Sequence, residues 1–151
     1  MHLLYNPDKK SRKYIYSFLV IYWLFLVAAT SIPASKLPNI EDADKYEHYI
    51  AYTILTILVS AALLVQNKSR YLKNSAFFLS VLFVSFYGLL DELHQMIIPG
   101  RNCSFLDWVA DFSGAITGSL ICFIIYRYEK NKRKRVNGGN YLQKSELKDK
   151  E

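Results

Sequence analysis

Four stretches of this chain are almost free of charge: Tyr14 to Ile32, His48 to Val65, Ser75 to Leu90 and Phe105 to Tyr126. Each approaches the length a lipid bilayer demands of a helix, roughly 20 mostly apolar residues at about 1.5 Å per residue. The third reaches that length when its helix continues through Asp91 toward Ile98. Phe18 to Val27 and Ala76 to Phe86 show none of the polar periodicity of a water-facing helix. The pattern excludes a soluble bundle. It predicts an all-α integral membrane protein, a compact bundle of four transmembrane helices near 14–32, 48–66, 75–96 and 105–126.

Length allows one domain, here 14–126, with basic tails at 1–13 and 127–151. Of 19 Lys and Arg residues, four precede the first span, three (Lys68, Arg70 and Lys73) lie between the second and third, and nine follow from Arg127 onward. Only Lys36, Lys45 and Arg101 occupy the other two connections. Basic residues accumulate on the cytoplasmic side, so both tails and the middle loop are expected inside, N-in/C-in. The net charge of +6 thus reports topology. It does not indicate nucleic acid, since no basic face interleaved with aromatics exists outside the tail. The run from Arg127 to Arg135 suits a stop-transfer anchor and, at about 1 kcal/mol per basic residue, contact with anionic lipids. Beyond Gly138-Gly139 the composition is that of a disordered segment.

The polar residues of the spans fall on faces, and all near the outward end. In the second helix Asp44 stands four before His48, while Lys45, His48 and Tyr52 stand at i, i+3 and i+7. In the third, Gly88, Asp91, Glu92 and Gln95 share one side; in the fourth, Asp107, Asp111, Gly114 and Gly118 do. A charge in hydrocarbon costs at least about 2.5 to 3.5 kcal/mol, so these side chains must face one another or a watered recess. Arg101, the lone arginine of the outer loops, has a planar fork suited to carboxylate or phosphate.

Duller explanations weigh differently on each residue. Asp107 stands three after Ser104, the spacing of a helix capping box. Gly114-xxx-Gly118 suits close helix packing, and through that face a homodimer is a further expectation. His94 is a rim residue. His48, Glu92 and Asp111 resist such readings best, because two of them are acids in apolar surroundings, and they are the candidate catalytic residues. Lys45, Arg101, Gln95, Asp91, Tyr52, Asp107 and Asp44 are the candidate substrate contacts. Acid and imidazole ligands could also hold a divalent metal, but no HExxH or comparable spacing points to one, and no cofactor is expected. Cys103 and Cys122 would stand about 27 Å apart along one helix, too far for a disulfide, so both read as free thiols.

The ordered set Ser31-x-Pro33, Asp44-Lys45-x-x-His48-x-x-x-Tyr52, Asp91-Glu92-x-x-Gln95, Pro99-Gly100-Arg101 and Asp107-x-x-x-Asp111-x-x-Gly114-x-x-x-Gly118 resembles the VanZ-like family of bacterial membrane proteins. The resemblance covers about Tyr14 to Tyr126. It implies a multi-pass protein of the bacterial cytoplasmic membrane, in a family named for a member linked to low-level resistance to the glycopeptide teicoplanin. Many members carry Asn where this chain has Asp111, which implies that an acceptor oxygen suffices there and makes Glu92 the better proton carrier. Read together, residues and resemblance lead us to expect a protein acting on a membrane lipid or lipid-linked envelope precursor at the outer leaflet. The alternative is a binding or sensing protein with no chemistry.

Overall fold

A computed structural model describes residues 4, 5, 7–33, 35 and 43–148, with 43 and 137–148 as backbone alone. Most of the connection between the first two spans, Lys36 included, lies outside them. The described elements are helices: α1 (Lys9–Thr30), α2 (Ala43–Val65), a short α3 (Arg70–Asn74), α4 (Ala76–Gln95) and α5 (Phe105–Lys148). Four are long and apolar enough to cross a membrane. This is the predicted all-helical, four-span architecture.

Local chemistry explains where the helices start and stop. Asp8 caps α1 by accepting the Ser11 backbone N–H at 3.0 Å, and hydrogen bonding by Ser11 holds its carboxyl below the ordinary carboxylate range. After Thr30, Ser31 closes the helix and Pro33 prevents its continuation. The basic turn between the second and third spans contains α3, whose N-cap Ser69 accepts from Leu72 N. The α4 helix stops at Gln95, sooner than Pro99 requires, and the chain turns through Gly100 at φ 78°, a left-handed conformation that favours glycine.

One sequence expectation needs correction. The chain beyond Arg127 is helical through Lys148, where composition predicts disorder. Lys, Arg, Glu, Gln and Leu are good helix formers, and extending a nucleated helix past Gly138 and Gly139 costs only about 1 kcal/mol for each glycine. Gly114 and Gly118 are buried against the backbone of α2: a methyl on Gly114 would strike the Tyr49 carbonyl oxygen, and one on Gly118 that of Thr53. The small-residue stripe thus packs against α2 inside the chain.

The central helix is α2, packed against α5, α4 and α1. Polar threads cross these seams. Ser60 donates to Ser80 at 2.7 Å, Ser119 to the Phe77 carbonyl at 3.0 Å, Trp108 Nε1 to the Ser85 carbonyl at 3.1 Å, and Tyr22 to the Ala51 carbonyl at 3.0 Å. Large apolar side chains meanwhile point outward, with Phe18, Ile21, Phe78 and Ile124 all more than 60% exposed. In water that surface would be untenable; in hydrocarbon it is the solvated face. At the basic end Leu4 and Tyr5 donate their N–H groups to Glu129 Oε2, which fastens the start of the chain to α5.

Candidate functional site

The C-terminal end of α4 and the N-terminal ends of α2 and α5 meet at one end of the bundle, and each delivers one buried side chain to a common point. His48 comes from the second turn of α2, Glu92 from the last turn of α4 and Asp111 from the second turn of α5. His48 Nδ1 lies 2.9 Å from Asp111 Oδ1 and 3.9 Å from Glu92 Oε1. Their exposures are 7, 0 and 1% for His48, Asp111 and Glu92. Among the described residues the imidazole is the basic group within ion-pair distance of both acids.

Each member is held from behind. Asp111 packs on Gly88, where a Cβ would stand 2.8 Å from Asp111 Oδ2 and 3.1 Å from the Tyr52 ring. Glu92 Oε2 accepts the Ser104 backbone N–H at 2.7 Å, while Ser104 Oγ accepts from Asp107 N. The residue expected to complete a capping box with Ser104 is Asp107; Glu92, reaching across from α4, takes the Ser104 N–H instead. His48 stacks on Tyr52 with rings 6.1 Å apart and 10° from parallel, and Tyr52 stacks in turn on Tyr87.

Support is not the same as saturation. Glu92 Oε1, Asp111 Oδ2 and the Tyr52 hydroxyl are buried with no hydrogen-bond partner among the described residues. A buried polar atom left unpaired costs roughly 1 to 3 kcal/mol, so the cluster is held together at the expense of stability.

From His48 the site opens onto a cleft of about 390 Å³ between α1 and α2. Its walls are apolar along Tyr22, Phe25, Leu26 and Ile50, and polar at one end, where Asp44, His48 and Arg101 gather. Arg101 Nη1 lies 3.6 Å from Asp44 Oδ1, and its Nε donates to the Ile32 carbonyl at 3.4 Å. Asp44 Oδ1 is in turn 4.0 Å from His48 Nε2, and Asp107 is close enough to form a second acidic group with these two.

The sequence-predicted residues thus converge, with three exceptions. Lys45 stands half-exposed on the first turn of α2 and does not line the cleft, whereas Arg101 does. Asp91 and Gln95 are buried and bonded to one another, Gln95 Nε2 donating to Asp91 Oδ2 at 3.3 Å. Sequence reasoning missed Tyr87 and the Ser104 N–H. The spacing of Tyr87 one residue before Gly88 carries no signal, and a backbone donor leaves none in the letters.

No curated protein and no solved structure matches the chain. A family model described as VanZ/LLP1 matches residues 13–126, which takes in all four spans and every residue of the cluster. The chain belongs to the VanZ-like family, as a multi-pass membrane protein.

Proposed function

We propose that the protein handles the polar headgroup of a membrane lipid or lipid-linked envelope precursor at the outer leaflet, with His48 and Glu92 as the proton-transferring pair and Asp111 orienting His48. The observation that carries this reading is the cleft: apolar between two helices where acyl chains lie, and ending on Arg101, Asp44 and His48 where a headgroup would lie. Arg101 supplies a fork for phosphate or carboxylate. Asp111, bonded to Nδ1, fixes the tautomer and orientation of the ring, and Glu92 Oε1 is an acceptor in reserve 3.9 Å away. Such an arrangement is that of general acid–base catalysis, worth about 10²- to 10⁴-fold in rate.

The distribution of Lys and Arg supports an orientation with the polar end outside. Alanine at His48 or at Glu92, in protein shown to insert normally, is expected to reduce teicoplanin tolerance to that of cells lacking the protein. Full retention by both variants overturns the catalytic reading. A second reading, binding without chemistry, draws on Glu92 Oε2 being committed to Ser104 N. Under it Glu92→Gln weakens the phenotype by degrees, whereas under acid–base catalysis it abolishes it.

A further inference from the structure

Acid–base chemistry accounts for the nearness of His48 and Asp111 but not for the oxygens that remain. Glu92 Oε1 points toward His48 Nδ1 from 3.9 Å, too far to accept its hydrogen, and Asp111 Oδ2 accepts nothing. Two carboxylates face a single imidazole in a region where uncompensated charge is costly. We propose that His48 Nδ1, Glu92 and Asp111 are the three protein ligands of a divalent transition-metal cation of the zinc class, with a fourth position left for water or a substrate oxygen. The inference rests on the reading above that these side chains form a headgroup site, and in it the ion takes the place of the Nδ1 hydrogen between His48 and Asp111, so that the three side chains act as ligands.

Geometry favours this. One ligand atom from each of the three lies within 4.8 Å of the others, and all three residues are buried. A tetrahedral zinc with bonds of about 2.0 to 2.2 Å sets its ligand atoms roughly 3.3 to 3.6 Å apart. The two separations from His48 Nδ1, 2.9 and 3.9 Å, fall on either side of that value, and the third, between the two carboxylates, is within 4.8 Å.

Charge and support agree. A neutral imidazole with two carboxylates carries −2, which a divalent cation balances without further partners. An imidazole among the donors separates this set from the all-oxygen sites of magnesium and calcium. Metal ligands are usually oriented by outer partners, and here Glu92 has one in the Ser104 N–H on Oε2, the Asp44 carboxylate stands 4.0 Å from Nε2 of His48, and Asp111 is placed by packing on Gly88. The alternative group of Asp44, His48 and Asp107 includes the exposed Asp44, which water can satisfy, so the buried trio is the stronger set. Its ligands come from three helices, which is why no short spacing in the sequence discloses it.

The test is metal uptake by the full chain, purified in detergent, stripped with a chelator and titrated with zinc chloride against a chromophoric indicator. Wild-type protein is expected to take one zinc per chain, with X-ray absorption showing only nitrogen and oxygen at about 2.0 to 2.2 Å. His48→Ala, Glu92→Gln and Asp111→Ala should each weaken binding by about 10-fold or more, while His94→Ala and the double Cys103→Ser, Cys122→Ser variant keep it. Helix content is read in parallel, and Glu92→Gln, the least intrusive change, decides if the others lose structure. Wild-type protein without stoichiometric zinc, or retention of zinc by Glu92→Gln at full affinity, overturns the site. Metal-free protein that still confers a His48-dependent envelope phenotype removes the ion and leaves the lipid reading standing. Stoichiometric zinc with no such phenotype does the reverse.

Discussion

At the scale of single residues, the position that most tightly controls the site is one with no side chain. Gly88 lets the Asp111 carboxylate and the Tyr52 ring approach the α4 backbone together, and a methyl there meets both at about van der Waals overlap, 2.8 and 3.1 Å. Overpacking of this kind costs about 1 to 3 kcal/mol. Gly88→Ala should therefore lower the thermal midpoint in detergent and move Asp111 off His48, with loss of the His48-dependent phenotype; an unchanged midpoint and phenotype would show that the neighbours yield freely. Helical spacing discloses Gly88 as a partner of Asp91 and Glu92, because both depend on a period of 3.6. What it does not disclose is that its open side receives Asp111 from another helix, or that Glu92 spends one oxygen on Ser104 N. Those facts depend on how helices are placed, and no periodicity within one helix encodes them.

Among elements, the decisive seam is that of α2 with α5, which sets the distance between His48 and Asp111. It closes only because Gly114 and Gly118 let the Tyr49 and Thr53 carbonyls sit against the α5 backbone, and Tyr49 donates across it to Thr117 at 3.1 Å. Gly118→Leu should force the helices apart, with loss of folded protein on size exclusion rather than a graded loss of activity. Ser60→Ala, by contrast, removes one interhelical hydrogen bond of a kind worth about 0.6 kcal/mol in membranes and should leave the fold intact. The GxxxG spacing was legible as a packing motif. Which helix it packs against was not, since an open partner and an internal one impose the same small residues. Element ends were less legible still: α5 runs on through a segment whose composition reads as disordered, because helix already formed in the bilayer propagates at little cost.

For the whole molecule, segregation of charge predicts a topology that the native thiols can report. Cys103 is exposed at the polar end, whereas Cys122 is buried. In a Cys122→Ser background, a membrane-impermeant maleimide should label Cys103 in intact cells; labelling only after lysis would invert the bundle and place the site inside. The number and order of the four spans were readable from the sequence, because bilayer thickness fixes span length whatever the neighbours, though their ends were not. The helix α1 stands apart from the other three. It buries only 11% of its most apolar window, against 50% for α2, and gives the convergence of His48, Glu92 and Asp111 no side chain. Sequence drift should thus be unequally permitted: in a library of random variants selected for function, α1 accepts almost any apolar replacement except where it walls the cleft or packs on α2, as at Tyr22 and Leu26, and the tolerated diversity falls sharply wherever a helix turns inward.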